Sequence, residues 1–317
     1  MRVGVAIPTY DLETGRPLPL RQVAEQAQRA EALGFHSAWV MDHLWLERDG
    51  VRVGAHEPNV TLGYIAALTS TITLGVLVLG NAFRPLSQLA RETAALADAL
   101  PGRFVLGLGC GSQPAEHRAF GLPFERRVGR LESTLRALPP LLRGERLDRR
   151  DDFIDLDDAS ILTTRPAPPI WVAGFGPRML RITAAHADGW NSAWHGPDHS
   201  TFASQLAVVR RELAAAGRTE GAFEVTAGLA MLPLEGEALE RAAARADGLR
   251  PRTAGPSWPS PARERMITGG PEQLAEAVRR YEAIGATHVI LNLSPSPFGL
   301  LDPALPERAA AMLGHLA

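Results

Sequence analysis

The sequence predicts an α/β chain that closes into a TIM (β/α)8 barrel with loop insertions. Three observations predict it. Short apolar runs alternate with helical patterns along all 317 residues, and no Ser/Gly linker or charge run divides them, so residues 1–317 read as a single domain. The register repeats, since "RAEALGFHSAWV" (29–40) and "RYEAIGATHVIL" (280–291) share one spacing of helix, glycine and strand. The first βα unit, "IPTYDLETGRP", lacks the GxGxxG fingerprint that a doubly wound dinucleotide-binding sheet carries there.

The elements follow in order. Residues 3–7 ("VGVAI") are a first strand. Residues 20–33 place Leu20, Val23, Ala24, Ala27 and Ala30 on one helical face, and Gly34 ends that helix. "SAWV" (37–40) is the second strand, 60–70 is helical, and "TITLGVLVL" (71–79) is the third strand. Pro85 opens a helix with Leu86, Leu89, Ala90, Thr93 and Leu96 inward. "FVLGLG" (104–109) is the fourth strand, and a helix covers 124–142. Residues 144–168 read as a loop or small hairpin insertion. "IWVAG" (170–174) is the fifth strand, with a helix over 177–187; "GWNSA" (189–193) is the sixth, with a helix over 198–216. "FEVTAGLAML" (223–232) is the seventh strand, and the Pro-, Arg- and Ser-rich 248–265 is a surface loop. Helix 271–284 closes at Gly285, "HVILNL" (288–293) is the eighth strand, and a helix ends the chain.

Composition excludes several classes. The chain is 45% hydrophobic and 21% charged, with net charge -2, so it offers no electrostatic reason to bind nucleic acid or an anionic membrane. A single cysteine precludes an intramolecular disulfide and favours a reducing compartment. The start, "MRVGVAIPTYD", is apolar for too few residues to be a signal peptide, and no run reaches membrane-span length; a cytoplasmic protein is expected. All 33 basic residues are arginine, which removes lysine Schiff-base chemistry. No metal-ligand spacing is present.

Candidate site residues lie where strands end, on the rim where barrels build active sites. "VLGLGCGSQP" imitates a methyltransferase loop. However, Gly107 stands where that motif is acidic, and Gln113-Pro114 replaces its last glycine. The stretch reads instead as a tight turn bordering a pocket, with Cys110 in the pocket wall rather than a nucleophile. After the second strand, "WVMDHLW" hangs Asp42, His43 and Trp45 over the mouth; His43 suits proton transfer, although a capping Asp and a packed His fit the same residues. "WVAGFGPRM" runs a strand through Gly174, Phe175, Gly176, Pro177 and Arg178 into a helix. That is either an anion site at a helix start or a Gly-rich turn with a solvated Arg.

Together these segments resemble the bacterial luciferase-like superfamily of flavin-dependent monooxygenases and coenzyme F420-dependent oxidoreductases. The resemblance rests on "AEALGFHSAWVMDHL", "TITLGVLVLGNAFRPLSQLARETAALADALPGRFVLGLGCG", "AEHRAFGLPFERRVGRLE", "RPAPPIWVAGFGPRMLRITAAHADGWN" and "ITGGPEQLAEAVRRYEAIGATHVIL". It implies a flat cofactor ring over the barrel mouth and a phosphate at Gly174–Arg178. It also implies a bulge behind the ring ending at Gly80, with a non-proline cis peptide at Leu77–Val78, and Gly109 and Cys110 beneath the ring. The "DHL" segment and residues 115–131 look most like the F420-dependent branch, in which His43 would be proton donor or base and Asp42 part of the cofactor site. FMN is the alternative cofactor, with monooxygenase chemistry; a barrel that binds such a ring without turnover is the other alternative. Sugar-phosphate dehydrogenases of this branch carry Glu at the place of Ser112 and Trp at the place of Glu47, so their substrate does not transfer. Trp45, Ser112, Trp194 and His195 are left as candidate substrate contacts. The partner expected is a small organic molecule, and the assembly a homodimer.

Overall fold

The computed structural model describes residues 1–48, 51–163, 165–248 and 262–316. Eight parallel strands form the barrel: β1 (Arg2–Ala6), β2 (Ser37–Val40), β3 (Thr73–Val76), β4 (Phe104–Gly109), β5 (Ile170–Ala173), β6 (Gly189–His195), β7 (Glu224–Leu232) and β8 (His288–Asn292). Each pairs with the next in sequence, and β8 returns to β1 with Leu291 opposite Val5. The barrel is therefore closed, and no long strand edge is left exposed. The helices are α1 (Leu20–Ala32), α2 (Pro58–Ala66), α3 (Leu86–Ala99), α4 (Pro114–Ala119), α5 (Arg127–Leu142), α6 (Pro177–His186), α7 (Ser200–Ala215), α8 (Gly236–Gly248), α9 (Ala262–Arg265), α10 (Pro271–Ile284) and α11 (Leu305–Ala310).

The inward faces follow the sequence pattern. In α1, Val23, Ala24, Ala27 and Ala30 are buried, and Gly34 takes φ +84 to end the helix. In α3, Leu89, Ala90, Thr93 and Leu96 are buried. The N-terminal floor of the barrel is a plug. Trp39 stacks on Trp171 with centroids 5.1 Å apart, and its indole N–H donates to Ser37 Oγ at 2.8 Å. The His288 Nε2 lies 2.9 Å from that same oxygen. Burial, reinforced by His36 and Arg2, pushes His288 well below the usual imidazole range, so the plug is uncharged.

Several elements differ from expectation. The third strand stops at Val76 and resumes only at Leu79–Gly80, because the chain swings inward over β4. The peptides Leu77–Val78 and Ala193–Trp194 are both cis, the second unanticipated. The helix expected over 124–142 begins at Arg127 as α5, just after Arg126 at φ 55, and the short α4 ahead of it was not expected. Strand β6 runs two residues further, to His195. Helix α8 was not foreseen, although Leu239 and Ala243 give it a buried face. In the expected 248–265 loop, 249–261 lie outside the described residues and 262–265 are helical. The 144–168 insertion is a hairpin, Leu147–Arg150 against Asp155–Ala159; a second hairpin, Leu46–Arg48 against Val51–Val53, lies in the loop after β2.

Candidate active site

At the C-terminal mouth lies a cavity of about 630 Å³. Most of the residues singled out in the sequence surround it: Asp42 and His43 after β2, the Leu77–Gly80 segment, Gly109, Cys110 and Ser112 after β4, Gly174–Arg178 after β5, and Trp194 in β6. Trp45 is not among its walls; Arg52 lies over its ring at 4.6 Å. His195 is turned into the core against Phe202 and Tyr281, and its Nε2 bonds Ser192 Oγ at 2.7 Å.

The β4 glycines make room for protein rather than for a ligand. A Cβ on Gly107 would come 2.0 Å from the Val76 carbonyl oxygen, and one on Gly109 would come 2.6 Å from Val78 Cγ2. The kinked third strand thus lies directly on β4, and it is the Leu77–Val78 segment that presents an apolar wall to the cavity. Gly111 is needed twice over: its φ is +80, and a Cβ there would meet His117 Nε2 at 2.4 Å.

Asp42 and His43 are neighbours with different duties. The Asp42 carboxylate accepts from the Gly80 N–H at 2.8 Å and from both Arg84 Nη atoms at 2.6 and 3.2 Å. Burial works against the Arg84 charge, but Asp42 and Glu57 outweigh it and raise the guanidinium above its usual range. Asp42 therefore braces the end of β2 against the end of the third strand. His43 is 29% exposed, and its Nδ1 lies 3.2 Å from Glu116 Oε2. The Glu116 side chain is 1% exposed, and its other oxygen accepts the backbone N–H groups of Leu44 and Trp45. A carboxylate only accepts, so the Nδ1 of neutral His43 carries the proton and Nε2 is left with a free lone pair.

Glu116 is the residue that sequence reasoning missed. It sits in the first turn of α4, just past the glycines that drew attention to the stretch. The one signal available was an acidic residue within a segment packed close to the rim; nothing in the spacing linked it to His43, which lies 73 residues earlier.

Across the cavity, β5 ends in a cradle. Gly176 caps α6 without a side-chain hydrogen bond, no acidic residue stands in the first turn, and Pro177 fills the first helical position. The Trp190 Nε1–H donates to the Gly174 carbonyl at 3.0 Å and fixes the turn. A Cβ on Gly176 would meet nothing within 4 Å, so the helix start is open. Phe175 stands 53% exposed on the rim. Arg178 Nη2 lies 3.3 Å from Glu132, a partly exposed pair of small energetic weight. Open N–H groups beside an arginine suit an anion.

The sequence model of the luciferase-like monooxygenase family matches residues 1–288. The F420-dependent glucose-6-phosphate dehydrogenase of Kineococcus radiotolerans is 28% identical over 306 residues, 86% of this chain and 86% of that protein. The F420-dependent hydroxymycolic acid dehydrogenase of Mycobacterium tuberculosis is 33% identical over 197 residues, 59% of this chain and 51% of that protein. Among solved structures, an F420-dependent secondary alcohol dehydrogenase in complex with an F420-acetone adduct superposes with a TM-score of 0.81. It is 19% identical and covers 100% of this chain and 99% of its own, a likeness of fold.

Proposed function

The chain belongs to the luciferase-like monooxygenase family, and from that premise we propose that it is a coenzyme F420-dependent oxidoreductase acting on a small organic substrate. One observation carries the reading. A single cavity joins a carboxylate-oriented histidine to an uncapped helix start beside an arginine. The relatives named F420-dependent support the choice of coenzyme.

The residues fit such a group. The Leu77–Val78 wall is apolar and suits a flat ring, while the α6 N-terminus and Arg178 suit a phosphate. When bound, F420 supplies two-electron hydride chemistry that no side chain here possesses. The protein's own work is orientation and proton transfer. Leu77, Val78 and Trp194 give the cavity apolar surface that excludes water. His43 Nε2 takes a proton from a substrate hydroxyl during oxidation, or returns it during reduction. Glu116 holds the imidazole in the tautomer this requires and stabilises the imidazolium that forms, and its backbone bonds to Leu44 and Trp45 keep it in place. Ser112 borders the same space as a neutral group, where sugar-phosphate dehydrogenases of this branch carry a glutamate; this favours a substrate other than a sugar phosphate.

Titration of the purified chain with F420 and with FMN, followed by fluorescence, tests the reading. Saturable F420 binding with weaker FMN binding is expected. Tight FMN binding without F420 binding would replace the reading with a flavin monooxygenase. His43→Ala should retain F420 binding and lose turnover; binding with no turnover by the unaltered chain across a panel of alcohols and ketones would favour a non-catalytic barrel.

A further inference from the structure

The stretch "GNAFRP" (80–85) runs from a cavity wall to the start of α3, and Arg84 ties the two together. A Cβ on Gly80 would lie 2.6 Å from the Phe83 ring, and the Phe83 N–H donates to the Gly80 carbonyl at 2.9 Å, so residues 80–83 close a tight turn. Arg84 follows that turn. Its side chain is 7% exposed and faces three carboxylates from three elements. Both Nη atoms reach Asp42, just past the end of β2. Nη2 also donates at 2.8 Å to Glu57, the residue that caps α2, and Nε lies 3.6 Å from Glu92 in α3.

The two outer carboxylates are themselves fixed. Glu57 accepts the Val60 N–H at 2.7 Å, and Glu92 accepts the side-chain amides of Asn59 and Gln88, each at 2.6 Å. The inner carboxylate is shared. Asp42 Oδ2 accepts from Arg84 at 2.6 Å and from the Gly80 N–H at 2.8 Å, and the next residue in the chain is His43. Asp42, His43 and Gly80 line the cavity, and Arg84 stands behind them. The guanidinium thus joins the helical layer to the two facing walls of the site. Its planar fork holds Asp42 by two bonds and Glu57 by a third, at angles that a point charge cannot reproduce. Removing it would leave the Asp42 carboxylate buried without its cation, which is strongly unfavourable.

We propose that Arg84 is a positioning residue: acting through Asp42, it fixes the spacing between His43 and the Leu77–Gly80 wall, while Glu57 and Glu92 hold it to α2 and α3. The inference rests on the F420 reading, because that spacing matters to function only if a ring and a reacting carbon must fit between the two walls. Reacting groups tolerate little error in such a gap; a displacement of about 1 Å can cost about 10²-fold in rate.

The experiment compares Arg84→Met with Arg103→Met in the intact chain. Arg103 is a part-buried arginine just ahead of β4, at the end of that strand remote from the cavity, and it donates to the carbonyls of Ala66, Thr69 and Ile72. Both variants should melt earlier, so each is studied well below its transition. In fluorescence titrations with F420, Arg84→Met should bind about tenfold more weakly, and Arg103→Met should stay within about twofold of the unaltered chain. In an Asp42→Ala background, Arg84→Met should change F420 affinity by less than about twofold, since the route through Asp42 is gone. Without coenzyme, the Gly80 amide should exchange its hydrogen about tenfold faster in Arg84→Met and at the ordinary rate in Arg103→Met. Arg84→Lys, which keeps the charge without the fork, should lie between Arg84→Met and the unaltered chain, and it carries the test if Arg84→Met does not fold. Unchanged Gly80 exchange, or F420 affinity lost equally in the Arg103 variant, overturns the positioning role and leaves the F420 reading standing. A full effect of Arg84→Met in the Asp42→Ala background overturns it as well. Failure of the unaltered chain to bind F420 overturns the coenzyme reading, and the role of Arg84 with it.

Discussion

Replacing Glu116 separates its two duties. In Glu116→Gln the amide oxygen still accepts the Leu44 and Trp45 N–H groups, but the amide nitrogen now donates toward His43 Nδ1, which lies 3.2 Å from that carboxylate. The imidazole must present a lone pair there, so its proton moves to Nε2. Glu116→Ala instead leaves two backbone donors without an acceptor. At about 1–3 kcal/mol for each unsatisfied donor, with Leu44 partly reached by water, the loss is about 2–4 kcal/mol. In a chain of 317 residues that lowers the melting temperature by roughly 3–6 °C, while the Gln variant should stay within about 1 °C. The assay pairs calorimetry with ¹⁵N NMR of histidine-labelled protein, which distinguishes the two neutral tautomers. Neutral His43 should carry its proton on Nδ1 in the unaltered chain and on Nε2 in Glu116→Gln. Turnover should fall by about 10²–10⁴-fold in Glu116→Gln, the usual worth of a positioned proton-transfer group. An unchanged tautomer in Glu116→Gln would refute the positioning role, whatever the effect on stability.

Two further predictions concern the scaffold. Gly107→Ala should destabilise the barrel by about 3 kcal/mol, because its Cβ would lie 2.0 Å from the Val76 carbonyl, backbone against backbone. Gly176→Ala, with open space around it, should cost under about 1 kcal/mol, and equal melting temperatures for the two variants would contradict the packing described. Stability should also fall on acidification below pH 6.5. Burial, only partly opposed by Asp198, lowers His195 to about 4, so between those values the unfolded chain binds a proton that the folded chain does not. His195 alone removes about 2 kcal/mol at pH 5, and His288, lowered well below its usual value, acts in the same direction. A melting temperature that does not change between pH 7 and pH 5 would contradict this.

The barrel was legible because its units are regular. Alternating apolar runs and helices, Gly34 and Gly285 as helix stops, and Pro177 and Pro271 as helix starts are local signals, and they placed the rim residues after the correct strands. What sequence could not show is what each rim residue touches. Gly107 and Gly109 looked like clearance for a ligand, but the neighbouring strand fills that space. Asp42 lines the cavity as expected, but the sequence did not show that Arg84 and Gly80 hold its carboxylate. Glu116 acquires meaning only once α4 folds beside the end of β2, a long-range relation that no local pattern encodes.

The central claim is that one cavity holds the F420 ring against Leu77–Val78 and its phosphate at the start of α6, with His43 facing the reacting carbon. A crystal structure of the chain with bound F420 tests this most directly. The account predicts phosphate density within hydrogen-bonding distance of the α6 N–H groups and Arg178, and the ring between Leu77–Val78 and His43. Phosphate density elsewhere, or a ring bound away from His43, would contradict it.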